Sequence, residues 1–473
     1  MIIRPKFATF FSLPLILFFF SCQTEHEQTN QIDYEIVIFS INDAHGRLEN
    51  FSKIKPIIEA EKNKGSTVFF VSAGDLFSGN PIVDYYESKG FPIIDLLNKT
   101  NLDVSVLGNH EFDYGQEILV ERIDQAQFPF ICLNMQGINT QNNNVLPYYL
   151  MERNGLRIVF VGLVETNSPG GFPLTHPKKI QGLEFTDGID SFDTYKNLKS
   201  ELGADLLVAL THQGQYDDEN LMNRYPSIDL TIGGHTNQIY GFEAGGGYMV
   251  MSGKYLETLG KTTININSNQ ITDFSFDAID LTQDLEIDLE IAQLIEEYND
   301  SPDFYINLGY SSHDHNFAET SCFYTDGLKN MTNSDLVIQN SGGIRNLLEM
   351  GVITPFEIYS IDPFGNGLET FEMSAAEMKT FLAQIGSSYS YSANFQINDN
   401  GTSIEFILPT GEALPNNYQL SISMNDYISY LYYDYLPDPS MVYPLTTAEY
   451  IIQYVQNQGE SIENQGCNRI LNN

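Results

Sequence analysis

Between residues 34 and 255 the chain keeps to one theme. Short apolar runs with no polar face alternate with polar stretches, and five of the runs end in Asp, Asn or His, usually beside glycine. The runs fall at 35–40, 67–72, 104–107, 128–133, 157–164, 206–210 and 228–232. They are rich in Val, Ile and Phe, the composition of strands buried on both faces. Helical spacing appears between several of them: Ile54, Ile57, Ile58 and Glu61; Ile93, Ile94 and Leu97; Ile118, Leu119 and Ile123. This alternation predicts a layered α/β domain over 34–283.

Past residue 255 the texture changes. Residues 262–266 and 274–281 alternate as edge strands do. Residues 284–298 form a strongly amphipathic pattern, with Ile287, Ile291, Leu294 and Ile295 on one side, and the turn Asn299-Asp300-Ser301-Pro302 stops it. The expected linker helix therefore spans 284–302. Residues 303–473 make a second, smaller mixed α/β domain, with a helix near 374–385. Six tyrosines between 427 and 443 are expected to serve core and turn packing.

The run ends carry the chemistry. They read Asp43-Ala44-His45, Gly74-Asp75, Gly108-Asn109-His110-Glu111-Phe112-Asp113, Thr211-His212 and Gly234-His235-Thr236-Asn237. In open α/β sheets the crevice beyond the carboxyl ends of the strands is where sites form. Asp and Asn offer oxygen and neutral His offers nitrogen, which suits a borderline cation such as Zn²⁺ or Mn²⁺ rather than a thiolate site. Asp43 and His45 share a face of an extended segment. More than four candidate ligands point to two divalent ions, with Asp75 as the bridging carboxylate. Each motif alone is weak; their recurrence in order at strand ends is what raises them.

That series resembles the calcineurin-like metallophosphoesterases. Together with Asn340-Ser341-Gly342-Gly343-Ile344-Arg345 it is similar to the two-domain 5'-nucleotidases, which include UDP-sugar hydrolases and ecto-5'-nucleotidases. The resemblance covers roughly residues 34–440. It implies a metallophosphoesterase α/β sandwich followed by a substrate-binding domain. It also implies Asp43, His45, Asp75, Asn109, His212, His235 and Asn237 as metal ligands, and His110 with Asp113 as a catalytic dyad. Two metals would clamp the phosphate and lower the pKa of a water, whose hydroxide attacks phosphorus in line. Protonated His110 would stabilise the charge that develops. Asn340 and Arg345 would hold substrate, and Phe364 and Tyr427 would stack on a base. Glu111 carries no implied role and is expected to be solvated or salt-bridged.

Two departures concern the substrate end. After Tyr427 the chain reads Ile428-Ser429-Tyr430-Leu431-Tyr432-Tyr433-Asp434-Tyr435, where the relatives have a Gly-Gly-Asp-Gly turn; Asp434 is the nearest replacement. Ala318 stands before Glu319, where they place an Arg. The implied activity is hydrolysis of nucleotide monoesters. The alternatives are a phosphodiesterase, a sugar-nucleotide pyrophosphatase or a phosphatase of another small phosphoester, and a non-catalytic surface binding lipoprotein.

The N-terminus bears on location. Arg4 and Lys6 precede an apolar stretch, 7–20, that is short for a membrane span. Cys22 directly after it predicts a bacterial lipoprotein signal over 1–21, a lipid on Cys22 and a polar tether over 22–33. That places the protein in the outer membrane, on its periplasmic or surface face; a plain signal peptide is the alternative. Of the remaining cysteines, Cys132 reads as buried and apolar, while export permits a Cys322–Cys467 disulfide. The net charge is −39 with no basic run, which excludes nucleic-acid polymers as partners. A small phosphoester remains compatible, since metals and Arg345 bring positive charge into one crevice. Nothing in the sequence selects monomer or dimer.

Overall fold

The computed structural model describes residues 34–138, 145–168, 170–267, 270–385, 389–399, 403–459 and 461–462. The expected signal, the tether, Cys22 and Cys467 lie outside the described residues.

The first domain is two stacked six-stranded sheets. One runs, in spatial order, Gln270–Asp280, Thr258–Asn267, Tyr34–Ile41, Thr67–Ser72, Val104–Val106 and Phe130–Ile131. The last four are parallel. The other runs Ile239–Ala244, Gly247–Ser252, Leu230–Gly233, Leu206–His212, Leu156–Val164 and Tyr148–Arg153, with its four middle strands parallel.

The pattern along each strand explains the stacking. Ile36, Ile38, Phe69, Val71, Val104 and Val106 face Ile158, Phe160, Val208, Leu210, Ile232 and Val250 between the sheets. The alternate residues Val37, Phe39, Val68 and Phe70 pack outward with Ile54, Ile58, Ile93 and Leu97. Val159, Val161, Leu207 and Ala209 do the same with Leu221 and Met222. Strands clad on both faces must be apolar throughout. Each such side chain contributes about 1.5–3 kcal/mol on full burial.

Several expected boundaries shift. Residues 262–266 are not an edge, because Thr258–Asn267 pairs antiparallel with Tyr34–Ile41 on one side and with Gln270–Asp280 on the other. The run 128–133 keeps only Phe130–Ile131 as strand. The helix expected from 284 begins at Leu289, because the Asp288 side chain accepts the Ile291 N–H and caps it. Its Ile291, Ile295 and Tyr298 are buried in the core of the first domain.

The second domain has a five-stranded mixed sheet in the order Tyr389–Ala393, Leu336–Asn340, Gln419–Asn425, Gly367–Ser374 and Met441–Thr446. Helices Phe317–Thr332 and Thr447–Gln458 pack through Phe323, Leu328, Ile451 and Val455. Helix Ala375–Ile385 packs through Met378, Phe381 and Leu382 against other sheet residues. The tyrosine cluster does not all go inside: Tyr430, Tyr433 and Tyr435 are exposed. Cys322 is disulfide-bonded, and Cys132 is a free buried cysteine.

Candidate active site

The carboxyl ends of the parallel strands of both sheets meet at one crevice, and the loops there are cross-braced. Asp43 N–H donates to Gly74 O and His45 N–H to Asp75 O, each at 3.0 Å, so the first two loops extend the strand ladder. Asp43 Oδ2 accepts the His235 N–H at 3.0 Å, linking one sheet to the other. Asp75 Oδ1 accepts the His110 N–H at 2.9 Å. Asp43, His45, Asp75, His235 and Asn237 all have left-handed backbone, with φ of 50°, 47°, 54°, 78° and 58°. Such conformations cost about 1–3 kcal/mol each and persist only where the surroundings enforce them.

The donor atoms converge. His45, Asp75 and His110 offer ligand atoms within 4.8 Å of one another, and so do Asp75, His212 and His235. Asp75 belongs to both groups. His45 Nδ1 faces Ser78 O at 3.0 Å and His212 Nδ1 faces Ala73 O at 2.7 Å. A carbonyl can only accept, so Nδ1 carries a proton in both rings and each Nε2 is the nitrogen turned toward the cluster. Asp43 Oδ1 and His212 Nε2 are buried without a hydrogen-bond partner; His212 Nε2 lies 2.9 Å from Asp75 Oδ2 but lacks hydrogen-bond alignment. Buried, unpaired donors of mixed oxygen and nitrogen type fit a divalent cation.

The clustered charges lean on one another: against burial, Asp75 and Asp43 raise His212 to about 10. Burial pushes the Asp43 carboxyl up to about 6, with Asp75 adding to the shift. Burial also opposes ionisation of Asp75, yet His212 and His110 hold it well below the usual carboxylate range. Burial, then Arg345, keeps His45 neutral, its Nε2 lying 3.4 Å from the guanidinium.

His110 stacks near Phe364, ring centroids 5.8 Å apart, and its Nδ1 donates to Asp113 Oδ2 at 2.6 Å. A cavity of about 250 Å³ opens above the cluster. Asp43, His45, Asp75, Asn109, His110, Asp113, His235 and Asn237 line one side, with Asn340, Arg345, Phe364 and Tyr427 across from them. His212, fully buried, stands behind Asp75. The structure thus brings every expected ligand, both dyad residues and all four expected substrate contacts to one place. Arg345 follows the short turn Ser341–Gly343, and its guanidinium lies 5.9 Å from the Phe364 ring. Asp362 holds the turn carrying Phe364 by accepting from Tyr324 and Thr447.

Two expectations fail. Glu111 is neither solvated nor salt-bridged. It is fully buried, and its carboxylate accepts the N–H groups of Asp75 (3.0 Å), Leu76 (2.6 Å) and Gly108 (2.5 Å). Burial and the Asp75 charge raise it to about 7, against the pull of those N–H groups. Asp434 does not replace the turn aspartate, since it is exposed on Tyr433–Tyr435 and does not line the cavity.

Some residues at the site were not legible. Leu174, Thr175, His176 and Lys179 reach the cavity from one segment. Ser78 Oγ donates to Asp113 Oδ2 at 2.5 Å. His176 follows no apolar run, so its place in the sequence carries no such signal.

Residues 36–238 match the family model described as calcineurin-like phosphoesterase, and residues 303–454 match the one described as 5'-nucleotidase, C-terminal domain. A 5'-nucleotidase of Vibrio parahaemolyticus is 23% identical over 431 residues, covering 76% of this chain and 76% of its own length. A 2',3'-cyclic-nucleotide 2'-phosphodiesterase/3'-nucleotidase of Haemophilus influenzae is 29% identical over 246 residues, covering 44% of this chain and 37% of its own. The crystal structure of a 5'-nucleotidase precursor from Thermus thermophilus superposes with a TM-score of 0.80 at 17% identity. That match covers 92% of this chain and 99% of the other, and shows the same fold.

Proposed function

Because the chain belongs to the calcineurin-like phosphoesterases in the form that ends in a 5'-nucleotidase C-terminal domain, we propose that it hydrolyses phosphate monoesters of nucleotides. One observation carries this reading. A single cavity sets the Asp/His cluster and His110 opposite a guanidinium and two aromatic rings. A phosphoryl group suits the first side and a nucleoside the second.

We assign Asp43, His45, Asp75, Asn109, His212, His235 and Asn237 as the residues that would hold two divalent cations, Zn²⁺ or Mn²⁺, with Asp75 within reach of both. When bound, these ions supply Lewis acidity to the phosphoryl oxygens and activate a water. His110, kept charged by Asp113, stabilises the negative charge that builds in the transition state. Arg345 offers a planar fork to a phosphate or carboxylate, and Asn340 an amide. Phe364 and Tyr427 stack on the base, worth about 1–3 kcal/mol per base. We divide the chain into a catalytic domain at 34–283, a linker at 284–302 and a substrate-binding domain at 303–473.

A phosphodiesterase, a sugar-nucleotide pyrophosphatase or a phosphatase of another small phosphoester is the second reading. The sequence after Tyr427, which lacks the expected glycine turn, keeps it open, because it supports phosphoester hydrolysis better than any one leaving group.

We place the protein outside the cytoplasm, lipid-anchored through Cys22 at the outer membrane, from the N-terminal pattern. Among the described residues no helix is long and apolar enough to cross a membrane. The test of function is a substrate panel with Zn²⁺, Mn²⁺ and chelator: nucleoside monophosphates, cyclic and sugar nucleotides, and an aryl phosphate. Fastest turnover of monophosphates, lost with chelator, is expected. Turnover that survives chelation would overturn the metal assignment, and a preference for diesters would select the second reading.

A further inference from the structure

Asp113 is gripped from more than one direction. Besides His110 and Ser78, Thr175 Oγ1 donates to its Oδ1 at 2.9 Å, and Thr175 is only 3% exposed. The next residue faces the second domain. Lys178 N–H donates to His176 Nδ1 at 3.2 Å, which puts the proton of the neutral ring on Nε2. That Nε2 lies 3.4 Å from Asp426 Oδ2 as an ion-pair contact without hydrogen-bond alignment, and Lys178 Nζ approaches the same oxygen at 3.5 Å. The other Asp426 oxygen accepts the Gly367 N–H at 2.9 Å. The His176 ring, 6% exposed, packs 5.7 Å from Tyr430. On the upstream side, Asn109 Nδ2 donates to Leu174 O at 3.0 Å.

We propose that segment 174–179 is the positioning element through which the second domain aligns the catalytic dyad. Thr175 is a positioning residue for Asp113, and the His176–Asp426 contact is the clasp that keeps it in place. This deepens the reading of His110 and Asp113 as the dyad and rests on it. The physical reason is the poverty of local support. Within the segment only the short turn beginning at Pro177 is regular structure, so its conformation depends on what its side chains hold. One end of the clasp belongs to the domain that carries Phe364 and Tyr427, the other adjoins the residue that orients Asp113. Docking the substrate-carrying wall and aiming His110 are therefore one event. A dyad displaced by a fraction of an ångström loses rate steeply.

The test compares Thr175→Val, Thr175→Ser, Asp426→Asn and Thr175→Val/Asp426→Asn, all metal-loaded, on the fastest substrate of the panel. Thr175→Val is expected to lower kcat by about 10–100-fold with KM within about 2-fold, and Thr175→Ser to recover most of the rate. Asp426→Asn, which keeps the Gly367 bond, is expected to lower kcat on its own but to add less than about 2-fold in the Thr175→Val background. Factors that multiply independently, or effects confined to KM, would overturn the proposal. Hydrogen exchange without substrate gives a separate readout: Asp426→Asn should speed exchange in 174–179 and also in 110–114. Unchanged exchange at 110–114 sinks the coupling. His176→Gln repeats both measurements should Asp426→Asn fold poorly. A wild-type protein that turns over no phosphoester would instead remove the proposed function, and the exchange result would still decide the coupling.

Discussion

His110 Nδ1 and Asp113 Oδ2 stand 2.6 Å apart, both residues less than a tenth exposed. Burial works against the charge on His110, but Asp113 outweighs it and raises the imidazole above its ordinary 6.5. Burial likewise opposes the charge on Asp113, and His110 draws it down to about 2. The signs follow by linkage. The His110 contribution to stability is full below its unfolded value and lost as pH rises through the raised folded one. That of Asp113 is present above its unfolded 3.8 and lost as pH falls toward about 2. Asp113→Asn should therefore move the high-pH limb of kcat to lower pH by about one unit or more. Rates measured from about pH 5 to 9 at saturating metal check this; an unmoved limb would separate Asp113 from the charge on His110.

Glu111→Gln replaces one acceptor oxygen with an amide that points at N–H donors. Because the carboxylate serves Asp75, Leu76 and Gly108 together, the swap leaves at least one buried N–H unmet. The expected cost is about 1–3 kcal/mol in thermal unfolding. Metal affinity should fall by about 10–100-fold, because the Asp75 loop loses its brace. Metal titration of the variant reads the second effect; wild-type affinity would make Glu111 purely structural.

Gly108→Ala is expected to be worse for the site than for the fold. A Cβ there would lie 2.6 Å from Asp75 N and collide with the Asp75 carboxylate, and neither can retreat. Activity should drop by at least about 100-fold with metal content reduced, while far-ultraviolet circular dichroism stays as in wild type. A variant that keeps its metals and its rate would show that the Asp75 loop gives way.

Phe364→Ala separates the stacking role from the reacting centre. Loss of one base–ring contact should raise KM for nucleotides by about 5–150-fold, the kinetic equivalent of about 1–3 kcal/mol. KM for a small aryl phosphate should change much less. Equal changes for both substrates would take Phe364 out of base recognition.

Much of the site was legible because the fold puts strand ends where chemistry happens. Asp43, Asp75, Asn109, His212 and His235 each follow a run whose apolar character fixed it as a buried parallel strand. Parallel strands deliver their carboxyl ends to one side. What stayed hidden depends on contacts between segments remote in sequence. Glu111 reads as a surface charge until loops some 35 residues away bring N–H groups to it. Segment 174–179 follows no strand end and gains its role from Asp113 and Asp426. The internal place of Thr258–Asn267 has a similar cause: its period-two pattern suits an edge, and only its pairing on both sides reveals otherwise.

The donor loops are held by bonds made entirely of protein: Glu111 to three amides, His45 and His212 to carbonyls, Asp43 to the amide of His235. A socket braced this way is expected to keep its shape whichever ion it receives. Its occupant is then decided by supply, since a mixed carboxylate and imidazole set ranks the divalent ions but rejects few of them. The same molecule is therefore expected to work with one divalent ion or another as supply changes.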